Sequence, residues 1–87
     1  MISAAASRAN ISTLLEEIFQ EHGLSEREIM VAHLMVSEGL GNKEISERVF
    51  RSVITVKIHA THIYRKFAVR GRAGLMTLIV KECCARK

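Results

Sequence analysis

Ile54, Lys57, Ile58 and Thr61 recur at intervals of three and four residues, so a helix through them sets all four on one face. A lysine there donates to a guanine edge, an isoleucine meets a thymine methyl, and a threonine serves either a base or the backbone. Arg65 continues the face, and Lys43 and Lys66 flank it with charge of the kind that seats a protein on phosphates without reading sequence. No acidic residue interrupts this stripe, whereas a merely solvated helix mixes both signs. Two isoleucines on an outward face also ask for a partner, either a nucleic-acid groove or another protein. Other chemistry finds no support. His59 falls on the opposite, apolar side, where a lone histidine is more often a core residue than a ligand, and His62 looks elsewhere. The chain has no metal-spaced cluster, Gly-rich phosphate loop, nucleophile–base pair or carboxylate pair, so the expectation is a non-enzyme with no metal and no cofactor.

The elements that must position this face are legible from caps and periodicity. Met1 to Ala9 is small and polar and reads as a frayed end. From Asn10, Ile11, Leu14, Leu15, Ile18 and Phe19 repeat at helical spacing, with Thr13 and Glu16 spaced for a capping box and Gly23 as a stop. Ser25 and Glu28 form a second capping box, Leu24 and Ile29 are placed for a hydrophobic staple, and Gly39 ends that helix beyond Val36. A short helix follows over about Asn42 to Val49, with Ile45 and Val49 inward. Phe50 and Arg51 make a tight turn, and Ser52 caps a helix running to about Ala68. On that helix Val56, His59, Ala60, Ile63 and Phe67 form the core stripe. Arg70-Gly71-Arg72 breaks the chain before a last helix, about Ala73 to Cys84, whose inward stripe is Leu75, Leu78, Ile79 and Cys83. The predicted architecture is all-α: a small bundle of four helices containing a helix-turn-helix, plus an extra N-terminal helix. Residues 1–23 read as an extension or linker helix and 24–87 as the domain proper.

Charge distribution agrees. Residues 1–41 carry two basic and six acidic side chains, a net of −4, while residues 42–87 carry eleven basic and three acidic, a net of +8. So large a switch in 87 residues points the C-terminal part at a polyanion. No apolar run is long enough for a membrane span, and the N-terminus lacks the profile of a signal peptide. Cys83 and Cys84 are adjacent and offer no disulfide framework; among Leu78, Ile79 and Val80 they read as buried thiols in a reducing compartment. The location expected from this is the cytoplasm.

Four ordered blocks resemble the LuxR/FixJ-type (GerE-like) helix-turn-helix: Leu24-Ser25-Glu26-Arg27-Glu28; Glu38-Gly39-Leu40-Gly41-Asn42-Lys43-Glu44-Ile45; Ser52 with Thr55-Val56-Lys57-Ile58-His59; and Ile63-Tyr64-Arg65-Lys66-Phe67-Ala68-Val69. The resemblance spans about Leu24 to Val80. It implies a four-helix domain, the output part of a bacterial transcription regulator, whose third helix enters the major groove and whose fourth commonly pairs two copies. By position, Lys57, Ile58 and Thr61 fall where bases are read; Ile54 joins them as a base-reading candidate by its place on the same helix face. Asn42, Lys43, Thr55, Arg65 and Lys66 fall where the family tends to touch the DNA backbone. This chain departs from the pattern at Gly41, usually a capping serine; at Arg51, usually an aliphatic plug; and at Val53 and Ile54, usually polar.

The last helix carries a further expectation. Met76, Val80 and Cys84 are apolar beside the inward stripe, and a helix apolar over more than one face is buried or shared. A homodimer on double-stranded DNA, paired through Met76 and Val80, is expected; the alternative is that the N-terminal helix covers them within one chain. Two other readings compete at the level of function. One is a promoter-recognition region of the sigma-factor kind. The other is a protein-interaction module that turns Ile54 and Ile58 on a protein partner.

Overall fold

The computed structural model describes residues 4–86, with side chains from Ser12 onward, as five helices in the order expected. They are α1 (Ala4–Glu21), α2 (Glu26–Val36), α3 (Asn42–Val49), α4 (Val53–Lys66) and α5 (Arg72–Ala85), with no strand among the described residues.

The caps are those that the chain encodes. Ser25 Oγ accepts from the Glu28 amide at 3.3 Å, and the Glu28 carboxylate accepts from the Ser25 amide at 2.9 Å, which closes the box at the start of α2. Gly23 and Gly39, at φ +78° and +64°, let the chain leave α1 and α2 in the left-handed conformation that ends helices. At α3 only half a box forms: Gly41 has no side chain to offer, while Glu44 accepts from the Gly41 amide at 3.3 Å. Ser52 Oγ accepts from the Thr55 amide at 3.1 Å and starts α4.

Two boundaries differ from expectation. The segment read as frayed up to Ala9 is helical from Ala4, because an alanine-rich run favours continuation; Thr13 is therefore internal to α1 and its pair with Glu16 does not cap. Met1 to Ser3 lie outside the described residues, as does the side chain of Ile11. At the other end α4 stops at Lys66, not near Ala68: Ala68 takes φ +56°, and the Val69 amide closes back on the Tyr64 carbonyl at 2.9 Å.

All five helices feed one core. Leu15, Ile18 and Phe19 of α1 are buried with Val31, Ala32 and Met35 of α2, Ile45 of α3, Val56, Ala60 and Ile63 of α4, and Leu75 and Ile79 of α5. Burying an aliphatic or aromatic side chain of this kind contributes about 1.5–3 kcal/mol, so the second half of α1 is structurally part of the unit formed by residues 24–86. Polar contacts repeat the attachment of α1 to the end of α5. The His22 ring stacks on Phe67 at 4.0 Å, and its Nε2 lies 3.1 Å from the Glu82 carboxylate; Arg86 pairs with Glu21. Phe67 in turn meets Phe19 edge to face at 6.2 Å, tying the end of α4 to α1.

Candidate nucleic-acid interface

The core decides which side of α4 is free. Val56, Ala60, Ile63 and Phe67 are buried, so the opposite side must face outward. Ile54 is 72% exposed and Ile58 49%, and Lys57, Thr61 and Arg65 are exposed beside them. Ile54, Lys57, Ile58, Thr61 and His62 line a shallow hollow of about 300 Å³ along the outer surface of the helix. The structure thus brings all four base-reading candidates, Ile54, Lys57, Ile58 and Thr61, to one surface. Thr61 donates its hydroxyl hydrogen to the Lys57 carbonyl at 2.9 Å, which leaves its oxygen as an acceptor only. Lys57 is then the principal donor at the centre of the face.

The five backbone candidates are not equivalent. Lys43 in the first turn of α3 and Arg65 in the last turn of α4 are exposed. Thr55 is half-buried, with its hydroxyl 2.9 Å from Ser52 Oγ at the N-terminus of α4. Asn42, at the first position of α3, buries its side-chain oxygen without a hydrogen-bond partner, so its amide NH₂ is the group that would serve a phosphate. Lys66 stands apart. Its Nζ lies 2.6 Å from the Glu28 carboxylate and donates to the Gly23 carbonyl at 3.0 Å, on the side of α4 that meets α2. A cation so engaged is an internal bracket, and the sequence pattern could not show it because its partner lies 38 residues away.

Glu28 is the hub of that bracket. Only 5% of its surface is exposed, and burial alone would raise the pKa of its carboxyl. Hydrogen bonds from Lys66 and the Ser25 amide, together with the Lys66 charge, outweigh burial and hold the pKa below the ordinary value of 4.5. His62 Nδ1 approaches the same carboxylate at 3.7 Å, on the flank of α4 that turns toward α2. The N-cap of α2 and the C-terminal turn of α4 are thereby locked together, fixing the tilt at which α4 is presented.

The turn between α3 and α4 is tight but incompletely filled. Phe50 adopts φ +55° and is 90% exposed, and the Arg51 amide returns to the Ser46 carbonyl at 3.1 Å. Arg51, where the related pattern usually has an aliphatic plug, is exposed and lines a hollow of about 100 Å³ with Met30, Val31, Val49 and His59. His59 is half-buried there, so the inward histidine borders this hollow and is not sealed in the core.

On the far side of the molecule, Met76 is half-buried, while Val80 is 56% exposed and Cys84 is exposed. These three line an apolar groove of about 880 Å³ between α1, the end of α2 and α5. Cys83 is only partly buried and Cys84 is exposed, so the expectation of two buried thiols is corrected: Cys84 lies on the outer side of the last turns of α5, away from the Leu75–Ile79 stripe.

Residues 22–79 match the family described as bacterial regulatory proteins, luxR family. The chain belongs to the LuxR family. Among curated proteins it is similar to the oxygen regulatory protein NreC of Staphylococcus aureus, in strains JH9, USA300 and NCTC 8325 alike, with 41% identity over 59 residues. That alignment covers 68% of this chain and 27% of each relative, so the chain corresponds to about a quarter of the length of these regulators. No solved structure matches it. The LuxR-family match distinguishes this helix-turn-helix from the sigma-factor kind and makes it the DNA-binding output domain of a transcription regulator. No helix among the described residues is long and apolar enough to cross a membrane.

Proposed function

We propose that α4 lies in the major groove of double-stranded DNA with Lys57, Ile58, Thr61 and Ile54 against base edges, while Asn42, Lys43, Thr55 and Arg65 seat the domain on the flanking phosphates. The observation that carries this reading is the outer face of α4: exposed, free of acidic residues, and set opposite the buried side chains of Val56, Ala60 and Ile63 on the same helix. Lys66 supports the posture of α4 through Glu28 and is not counted among the phosphate contacts. The domain acts by binding, without catalysis, in the cytoplasm, as the output part of a regulator whose signal enters through an upstream domain joined to α1.

A single recognition helix reads few bases, and a second copy about one DNA turn away is the usual way to gain affinity and specificity. Val80, more than half exposed on α5 beside Met76, supports pairing of two copies through that helix on DNA. Val80→Glu places a charge at that contact. Sedimentation with a duplex carrying two half-sites should then show loss of the two-to-one complex, in a protein that melts normally.

The direct test is selection of bound sequences from a random DNA pool, repeated with Lys57→Ala. A short enriched motif that loses preference at one position in the variant supports the reading; removing one good base contact should lower affinity by about 1–3 kcal/mol. The competing use of the Ile54 and Ile58 face on a protein partner predicts no enrichment and little response to salt, because no counterions would be released.

A further inference from the structure

Ile54 and Ile58 are among the most exposed large apolar side chains of the protein, and they lie one helical turn apart on the face assigned to DNA. In water this pair costs more than polar residues would, and nothing in the fold uses it: the buried stripe of α4 runs through Val56, Ala60 and Ile63 on the other side. Hydrogen-bond donors at the centre of the face are few. The Thr61 hydroxyl hydrogen is spent on the Lys57 carbonyl, and His62 Nδ1 is drawn toward Glu28 at 3.7 Å. Beside the His62 ring, the one permanently charged donor bordering this shallow hollow is the Lys57 ammonium group, set between two aliphatic side chains.

The surround of this apolar pair suits a polyanion. Lys57, Arg65 and Lys43 are exposed, and α4 contains no acidic residue. In a major groove, the one base feature that an aliphatic side chain recognises is the C5 methyl group of thymine; guanine and adenine edges present only polar atoms there. From this geometry we infer that thymine methyl groups, packed against Ile54 and Ile58, carry most of the sequence discrimination, with Lys57 contributing a single guanine contact. The preferred half-site is therefore methyl-rich, with thymines on either side of one guanine and without a run of bidentate hydrogen bonds. The inference rests on α4 being the groove-reading helix and adds to it what that helix reads.

The test needs no knowledge of the operator. Two synthetic duplexes are compared, one of alternating adenine and thymine deoxynucleotides, the other with uracil in place of every thymine. They share charge and hydrogen-bonding edges and differ by the C5 methyl group. Burying one methyl group corresponds to about fourfold in affinity, so the 87-residue chain should favour the thymine duplex by roughly fifteenfold for the two contacts. The preference should vanish in Ile54→Ala/Ile58→Ala, whose sites are on the surface and whose melting should match the parent.

Equal binding to both duplexes, with a steep salt dependence, would overturn the methyl inference while leaving α4 as a DNA helix. A preference that persists in the double-alanine variant would also overturn it, since the methyl groups would then act through duplex shape. Failure to bind either duplex at low salt would remove the DNA reading and this inference together.

Discussion

Arg65 and Lys66 are neighbours at the end of α4, and replacing each by alanine should separate a phosphate contact from a structural bracket. Each phosphate neutralised on a duplex contributes about 0.9 to the slope of log affinity against log salt concentration. Arg65 is exposed at the end of the basic face, so Arg65→Ala should flatten that slope by about 0.9 and leave melting unchanged. Lys66→Ala should do the reverse. It leaves the Glu28 carboxylate, 5% exposed, with the Ser25 amide at 2.9 Å and a weak approach from His62 at 3.7 Å. Losing a hydrogen bond to a charged group costs about 1.5–3 kcal/mol when buried. Because Lys66 is itself 37% exposed, solvent screening brings the expected loss down to about 1 kcal/mol. In a domain of this size that is a fall of about 4–8 °C in the melting midpoint. The assay is anisotropy of a labelled duplex titrated across a salt series, paired with thermal melts of each variant. Glu28→Gln is the internal check, since it should release Lys66 and steepen the slope. If Lys66→Ala flattened the slope as much as Arg65→Ala while melting as the parent does, Lys66 would be a DNA contact and the bracket would be incidental.

Other perturbations bear on the frame that holds α4. Phe67→Ala opens a cavity beside Phe19 and His22 and should cost about 3–5 kcal/mol, read by urea denaturation; an unaltered transition would mean that α4 is rotated from the placement described here. Ala68→Gly should stabilise by about 1 kcal/mol, because Ala68 holds φ +56° with a Cβ that disfavours it; a lower melting midpoint would contradict this. Burial holds the His33 imidazole below its ordinary value of 6.5, with the Glu16 charge opposing only in part. The unfolded chain therefore takes up that proton first, so stability should fall as pH drops below about 6.5, and His33→Gln should remove this step in a series of melts across pH. A second loss should follow below about 4.5, as Glu28, whose folded value is depressed, gains its proton and releases Lys66.

Local physics made much of this protein readable before any coordinates. Ser25 with Glu28, Ser52 before Val53, and Gly23 and Gly39 after their helices are signals contained within four or five residues, and the caps form where they stand. The interval of three and four residues that separates Val56, Ala60 and Ile63 from Ile54, Lys57 and Thr61 is a property of one helix, so the two faces of α4 needed no neighbour to be told apart. The charge switch after residue 41 is likewise independent of folding. Tertiary structure alone decided the rest. Whether α1 trails off as a linker or packs depends on the core that Leu15, Ile18 and Phe19 enter, and on Phe67 and Glu82, which meet His22 just beyond α1 only after the chain has folded back over 45 and 60 residues. The same holds for Lys66, which by its spacing belongs with the phosphate contacts and by its position belongs to Glu28. A side chain's periodicity states which way it points, but what it finds there is set by long-range packing, and charge on a helix flank is free to serve either DNA or a neighbouring helix until that packing assigns it.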